Sequence, residues 1–119
     1  MQQTLGDTLA WPARYLPNKE ALVAWEGGER RAWTYAQLDA EVNRHAHGLA
    51  ELGIGHGDVV AVMLENRLEL LAILAALSKL GAVGALINTT QRGKVLAHSF
   101  NLVKPGFLVI GDELHGVFD

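Results

Sequence analysis

The run from Asp58 to Leu64, DVVAVML, constrains the fold of this chain more than any other segment. It is continuously apolar after its first residue and rich in valine, as a parallel strand covered on both faces requires, and it is therefore expected at the centre of a sheet. Asn66, followed three positions on by Glu69, has the spacing of a capping box and opens a helix from Arg67 to Leu80 that is apolar on most sides and closed by Gly81. Ala82 to Ile87 reads as a second strand. Thr89 or Thr90 can cap a third helix that runs to about Leu102 and is broken by Pro105-Gly106, and Phe107 to Ile110 reads as a third strand. Strand and helix alternating in units of about 24 residues imply parallel strands joined by right-handed crossovers, hence an α/β sheet of the doubly wound type.

Upstream, Leu5 to Leu16 predicts a short helix stopped by Pro17, with Pro12 near its middle. A β-hairpin is expected at about 22–33, with Gly27-Gly28 as a two-residue turn needing positive φ. Thr34 and Gln37 have the spacing of a reciprocal capping box, so a helix should follow. Leu38, Val42, His45, Leu49 and Leu52 recur on one face of it, and Gly53 ends it where a left-handed residue is wanted. The strand and helix alternation thus covers about 34–111.

Composition excludes several classes of function. A chain of 119 residues, 50% hydrophobic and 19% charged, is sized for one globular core. With a net charge of −3 and Arg30-Arg31 as its one adjacent basic pair, it offers no field for a nucleic acid backbone. Cysteine is absent, which removes disulfides, thiol nucleophiles and cysteine-based metal sites. The N-terminus lacks a basic leader followed by an apolar run, so a cytoplasmic protein is expected, with peripheral membrane attachment left open. Leu68 to Ile87 is the most apolar stretch, but Glu69, Ser78, Lys79 and Gly81 interrupt it, which suits a buried helix and strand rather than a transmembrane span.

Local motifs carry little chemistry. Gly53, Gly55 and Gly57 form a G-x-G-x-G run, yet it closes a helix and opens a strand, the reverse of a phosphate-cradling loop. His45, His47, His56, His98 and His115 lack the spacings of a metal site. Ser78 and Ser99 lie in helical patterns without a nucleophile elbow. Asp112 and Glu113 follow a strand and suit a turn or cap. Lys79 complements the end of its helix dipole, whereas Arg92 in the first turn of the next helix is unfavourable unless it meets an anion. In doubly wound sheets ligands sit outside the carboxyl ends of strands, so the loops at Glu65-Asn66, Asn88 to Thr90 and Gly111 to Glu113 are the first places to look.

A wider pattern adds to these readings. Thr34-Tyr35-Ala36-Gln37-Leu38, Asn43-Arg44, the run from Gly53 to Val62 (GIGHGDVVAV) and Lys79-Leu80-Gly81-Ala82 follow one another in order. Together they resemble the opening of adenylate-forming (AMP-binding) acyl-CoA synthetases, with T-Y-x-E-L, A-N-R-x-A, G-V-x-x-G-D-x-V-A-I and K-x-G-A in the same sequence. Ala85-Leu86-Ile87-Asn88-Thr89 is similar to the long-chain and very-long-chain fatty acyl-CoA synthetase and fatty-acid transport protein branch. Departures are Gln37 for a glutamate, Glu65 for a proline and Thr90 for an asparagine.

What the resemblance implies is an enzyme that binds ATP with Mg2+, joins a fatty acid to AMP with release of pyrophosphate, and passes the acyl group to coenzyme A. The Ser/Thr/Gly-rich phosphate loop ending in G-x-P-K, the ribose-binding aspartate and the late lysine of that family have no counterpart here. Residues 1–119 are accordingly expected to be a single incomplete unit, the N-terminal part of a larger AMP-binding domain, inactive alone and partnered by the remainder of the synthetase. No catalytic residue or metal ligand is assigned within it. Asn88, Thr89, Thr90 and Arg92 are the candidate cofactor-binding residues. A sheet ending after three parallel strands leaves unpaired backbone, from which self-association is expected. The alternative is a free-standing, non-catalytic α/β binding or interaction module derived from the same fold.

Overall fold

The structure is a computed structural model that describes residues 5–65, 67–111 and 114, with side chains described from residue 10 onward. Helix α1 (Leu5–Tyr15) runs through Pro12, which lacks its own donor while its carbonyl still accepts from the Leu16 amide at 2.7 Å. Strands β1 (Glu20–Glu26) and β2 (Glu29–Thr34) pair antiparallel, with Glu26 opposite Glu29. Between them Gly27 and Gly28 take φ of 60° and 83°, the paired positive values that a two-residue turn needs to match strand twist. The hairpin is slightly longer than the expected 22–33.

Helix α2 (Tyr35–Glu51) opens on the predicted capping box: the Gln37 amide donates to Thr34 Oγ1 at 3.2 Å and the Thr34 amide donates to Gln37 Oε1 at 2.8 Å. Its buried stripe is Leu38, Val42, Ala46 and Leu49. Two members of the expected face are corrected. His45 lies at the margin, half-buried, and Leu52, the C-cap, is 71% exposed because the helix ends before another turn could bring it inward. Gly53 turns the chain at φ 94°, and Ile54 enters the core in place of Leu52.

Strand β3 (Val59–Met63) is central, as its valine-rich run requires, and pairs in parallel with β4 (Val83–Leu86) on one side and β5 (Phe107–Ile110) on the other. Helix α3 (Leu68–Lys79) connects β3 to β4, and helix α4 (Gly93–Val103) connects β4 to β5 across β3. The strand's alternation sorts its residues onto two faces. Val60 and Val62 pack with α2, α3 and Trp33, while Ala61 and Met63 pack with Ile87, Leu96 and Leu114. The two crossover helices therefore cover opposite faces, the doubly wound arrangement predicted. Gly84 lets α3 close on the sheet, since a Cβ there would lie 3.0 Å from Leu74 Cδ2.

The caps of α3 and α4 differ from expectation. Asn66 lies outside the described residues; Arg67 is the N-cap of α3 and its side chain makes no capping bond. Glu26 of the hairpin instead accepts from the Leu68 amide at 3.4 Å, and the Glu69 carboxylate accepts from Arg31. Neither Thr89 nor Thr90 caps α4, whose N-cap is Arg92. At its other end Lys104 occupies the left-handed C-cap at φ 49°, ahead of Pro105-Gly106.

Candidate functional site

Helices α3 and α4 leave the carboxyl ends of β3 and β4 toward opposite faces, so the two loops diverge and open a crevice between them. A hollow of about 480 Å3 lies there, lined by Leu64, Glu65, Leu70, Leu86, Ile87, Asn88 and Thr89. A larger hollow of about 630 Å3 lies by the α4–β5 turn, at the amino end of β5, lined by Phe100, Lys104 and Phe107 among others. In open parallel sheets ligands collect at carboxyl ends, so the smaller hollow is the candidate site.

The predicted residues divide at this point. Asn88 and Thr89 line the hollow. Thr90 does not: its amide and hydroxyl donate to Asn88 Oδ1 at 2.9 and 2.7 Å, an Asx turn that shapes the loop after β4. Arg92 is exposed, and its guanidinium folds back to donate to the carbonyls of Thr89 and Gln91 at 2.6 and 2.7 Å. The guanidinium of this N-cap arginine is thereby hydrogen-bonded by the backbone of its own loop. Residues that sequence reasoning did not single out are Leu64, Leu70 and Leu86, which make most of the wall apolar. Leu70 had a readable signal, its place in the first turn after a central strand.

The wall is tethered from the hairpin side. Arg31 on β2 donates to Glu26 at 3.1 Å and to Glu69 of α3 at 2.9 Å, with its guanidinium carbon 5.3 Å from the centre of the Trp33 ring. With the Glu26 carboxylate on the Leu68 amide, this ties both strands of the hairpin to the first turn of α3, next to Leu70. Burial is the largest single influence on the Glu69 carboxyl and raises it, but the Arg31 hydrogen bond, the Glu69 amide and the charges of Arg31 and Arg67 together outweigh burial and hold the group below its ordinary value. The same bonds raise Arg31, those to Glu69 first.

The remaining candidates stay structural. All three G-x-G-x-G amides are occupied: Gly53 donates to Ala50 O at 3.0 Å, Gly55 to Asp58 Oδ2 at 2.7 Å and Gly57 to Gly81 O at 2.9 Å. They close a helix and enter a strand, as the order of elements predicts. His45 is pushed down by burial and then by Arg44, and sits 3.7 Å from Glu41. Ser99 donates to Gln91 Oε1 at 2.6 Å. Among the described residues no three His, Asp or Glu side chains converge to hold a metal ion, and no helix is long and apolar enough to cross a membrane. Asp112, Glu113 and His115 lie outside the described residues. The hollow can therefore supply apolar contact and amide or hydroxyl hydrogen bonds, with Glu65 as the carboxylate among the described residues of its lining.

Comparison with known proteins places this arrangement. The family model of the AMP-binding enzyme matches residues 9–117. The chain is similar to the medium/long-chain-fatty-acid–CoA ligase FadD6 of Mycobacterium tuberculosis, 41% identical over 81 residues that make up 68% of this chain and 14% of that protein. Long-chain fatty acid transport protein 1 of Mus musculus is 39% identical over 102 residues, 86% of this chain and 16% of its own length. An inhibitor-bound crystal structure of the N-terminal domain of FACL13 from Mycobacterium tuberculosis superposes with a TM-score of 0.87 at 30% identity, covering 99% of this chain and 29% of that one. This chain thus spans about one-sixth of the length of such curated relatives. With the family match running from residue 9 to residue 117, the chain belongs to the AMP-binding enzyme family, with fatty-acid CoA ligases and long-chain fatty acid transport proteins among its relatives.

Proposed function

We propose that this chain is the amino-terminal part of a fatty acyl-CoA synthetase and that its work there is to build the sheet and the β3–β4 crevice of the AMP-binding domain. The observation that carries the reading is the family match along 9–117 together with a hollow at the carboxyl ends of β3 and β4. In the whole enzyme the carboxylate oxygen of a fatty acid attacks the α-phosphorus of ATP and pyrophosphate leaves. The thiol of coenzyme A then attacks the acyl carbon, and AMP leaves with the electron pair of the broken bond. Positioning and charge neutralisation would supply most of the rate.

Within this chain the largely apolar lining suits a packing or acyl-side surface better than a triphosphate, since the Glu65 carboxylate in it would repel phosphate. Asn88 and Thr89 are the residues that would hydrogen-bond a ligand there, and Arg92 would join them only by leaving the carbonyls that now hold it. Mg2+ in the whole enzyme is assigned to none of the described residues.

The test has two parts. Reading the gene downstream of the Asp119 codon should show an open frame with a G-x-P-K-type phosphate loop, and a stop codon there would favour the free-standing module. The 119-residue chain incubated with ATP, palmitate and coenzyme A should form no thioester, and turnover by pure material would overturn the assignment of catalysis to other segments.

A further inference from the structure

We propose that Arg31 is a positioning residue: its fork onto Glu69 fixes the first turn of α3, hence the apolar wall of the β3–β4 hollow and the acyl chain lengths that the hollow accepts. This role rests on the acyl-CoA synthetase reading of the same hollow. Trp33, two residues along the same face of β2, is buried in the core and fixes where Arg31 leaves the strand. The guanidinium is then engaged on several sides. Nη1 donates to Glu69 Oε2 at 2.9 Å while Nη2 lies 2.5 Å from Glu69 Oε1, a two-pronged contact that sets both distance and angle. Nη1 also donates to Glu26 Oε1 at 3.1 Å, and the guanidinium carbon lies 5.3 Å from the centre of the Trp33 ring.

Two carboxylates from different elements thus share one cation. Glu26 and Glu69 both accept from the same Nη1 and would repel one another without it, so Arg31 is what lets the hairpin and the start of α3 meet. The start of α3 has no side-chain cap of its own: its N-cap, Arg67, makes no capping bond, and the Leu68 amide donates to Glu26 of the hairpin. Leu70 follows Glu69 directly and belongs to the wall of the hollow, so a shift of the first turn carries the wall with it. A lysine in place of Arg31 would keep the charge but make a point contact, which fixes distance and leaves angle free. An apolar wall selects among chains by fit, and a wall free to rock accepts longer and shorter chains more nearly alike.

The experiment measures kcat and KM of the full-length synthetase with octanoate, laurate and palmitate. A merely structural loss lowers the active fraction and so reduces kcat/KM for all three acids alike, leaving their ratios unchanged. Arg31→Lys and Glu69→Gln should each change the palmitate-to-octanoate ratio of kcat/KM by roughly fivefold, the scale of one partly exposed ion pair. The double variant should do no more than either, because both changes break one contact. Arg30→Lys, which alters the neighbouring hairpin pair with Glu20, should leave the ratio unchanged. Hydrogen exchange of the 119-residue chain adds a readout independent of turnover: Arg31→Lys should speed exchange at the Leu70 amide and leave Val60 and Val62 of β3 unchanged. Unaltered ratios in both variants, effects that add in the double variant, an equal change in Arg30→Lys, or unaltered exchange at Leu70 would each overturn the proposal. A wild-type enzyme that forms no thioester from any of the three acids would overturn the acyl-CoA reading and the selectivity with it, whereas faster exchange at Leu70 would still identify Arg31 as the residue that positions α3.

Discussion

At the scale of single residues, the glycines that matter are those whose positive φ other residues adopt only at a cost. Gly53 and Gly81 both end helices with positive φ, 94° and 75°. A Cβ at Gly53 would meet nothing within 4 Å, whereas at Gly81 it would lie 2.7 Å from His56 Nδ1. Gly53→Ala should therefore cost only the left-handed backbone penalty, about 1 kcal/mol. Gly81→Ala should cost about 2 kcal/mol, because the His56 ring must also move. Urea midpoints of the two variants check the difference, and equal losses would mean that the His56 contact has no weight. Arg92 marks the limit of residue-level reading. Its position at a helix start suggested an anion, and its guanidinium instead satisfies two carbonyls of its own loop. In a complete synthetase, Arg92→Ala should raise KM for coenzyme A or ATP if the side chain swings out to the ligand. Unchanged kinetics would leave it a loop brace.

Among the elements, the tie between the hairpin and α3 does most to shape the candidate site. Arg31, Glu26 and Glu69 join segments 38 residues apart in sequence and hold the first turn of α3, beside Leu70. Glu69 has its folded-state carboxyl held below the ordinary 4.5, so its contribution to stability is present above that value and is lost as pH falls below it. Unfolding free energy should accordingly be smaller at a pH below 4.5 than at neutral pH, and Glu69→Gln should flatten that limb. Arg31→Ala should cost about 1 kcal/mol at neutral pH, the scale of a partly exposed ion network. Denaturant melts at the two pH values measure both effects, and an acid limb unchanged in Glu69→Gln would assign it to other carboxylates. Glu20, bonded to Arg30, is also lowered and stands as the comparison.

At the scale of the whole molecule, the parallel sheet is three strands wide among the described residues, with β4 and β5 at its edges, and Val83 and Leu86 of β4 are mostly exposed. A bare apolar edge of this kind pairs with whatever backbone is available. The isolated 119-residue chain should self-associate, with a sedimentation coefficient that rises over micromolar concentrations. A monodisperse, cooperatively melting monomer would show that the edges are tolerated. In a complete enzyme the same edges would be the natural place for the remainder of the domain.

Local chemistry is legible in the order of residues because its causes are local. The Thr34 and Gln37 box, the Gly27-Gly28 turn, the glycine after each of α2 and α3 and the valine run of β3 all act over a few residues, so hairpin, helices and parallel strands follow from spacing alone. Caps supplied from elsewhere are not legible in this way: Glu26 caps α3 across 42 residues, and its role depends on how the hairpin packs. The branch of the AMP-binding family was readable from ordered motifs, while the membership of the hollow was not. Asn88 and Thr89 could be placed at a strand end, but only the divergence of α3 and α4 to opposite faces brings Leu64 and Leu70 to meet them. The direction taken by Thr90 and Arg92 was decided by competition among nearby hydrogen-bond acceptors. Periodicity and capping thus determined the elements and their order; the site and its tether came from tertiary packing, because contacts between distant residues depend on where the elements lie in space.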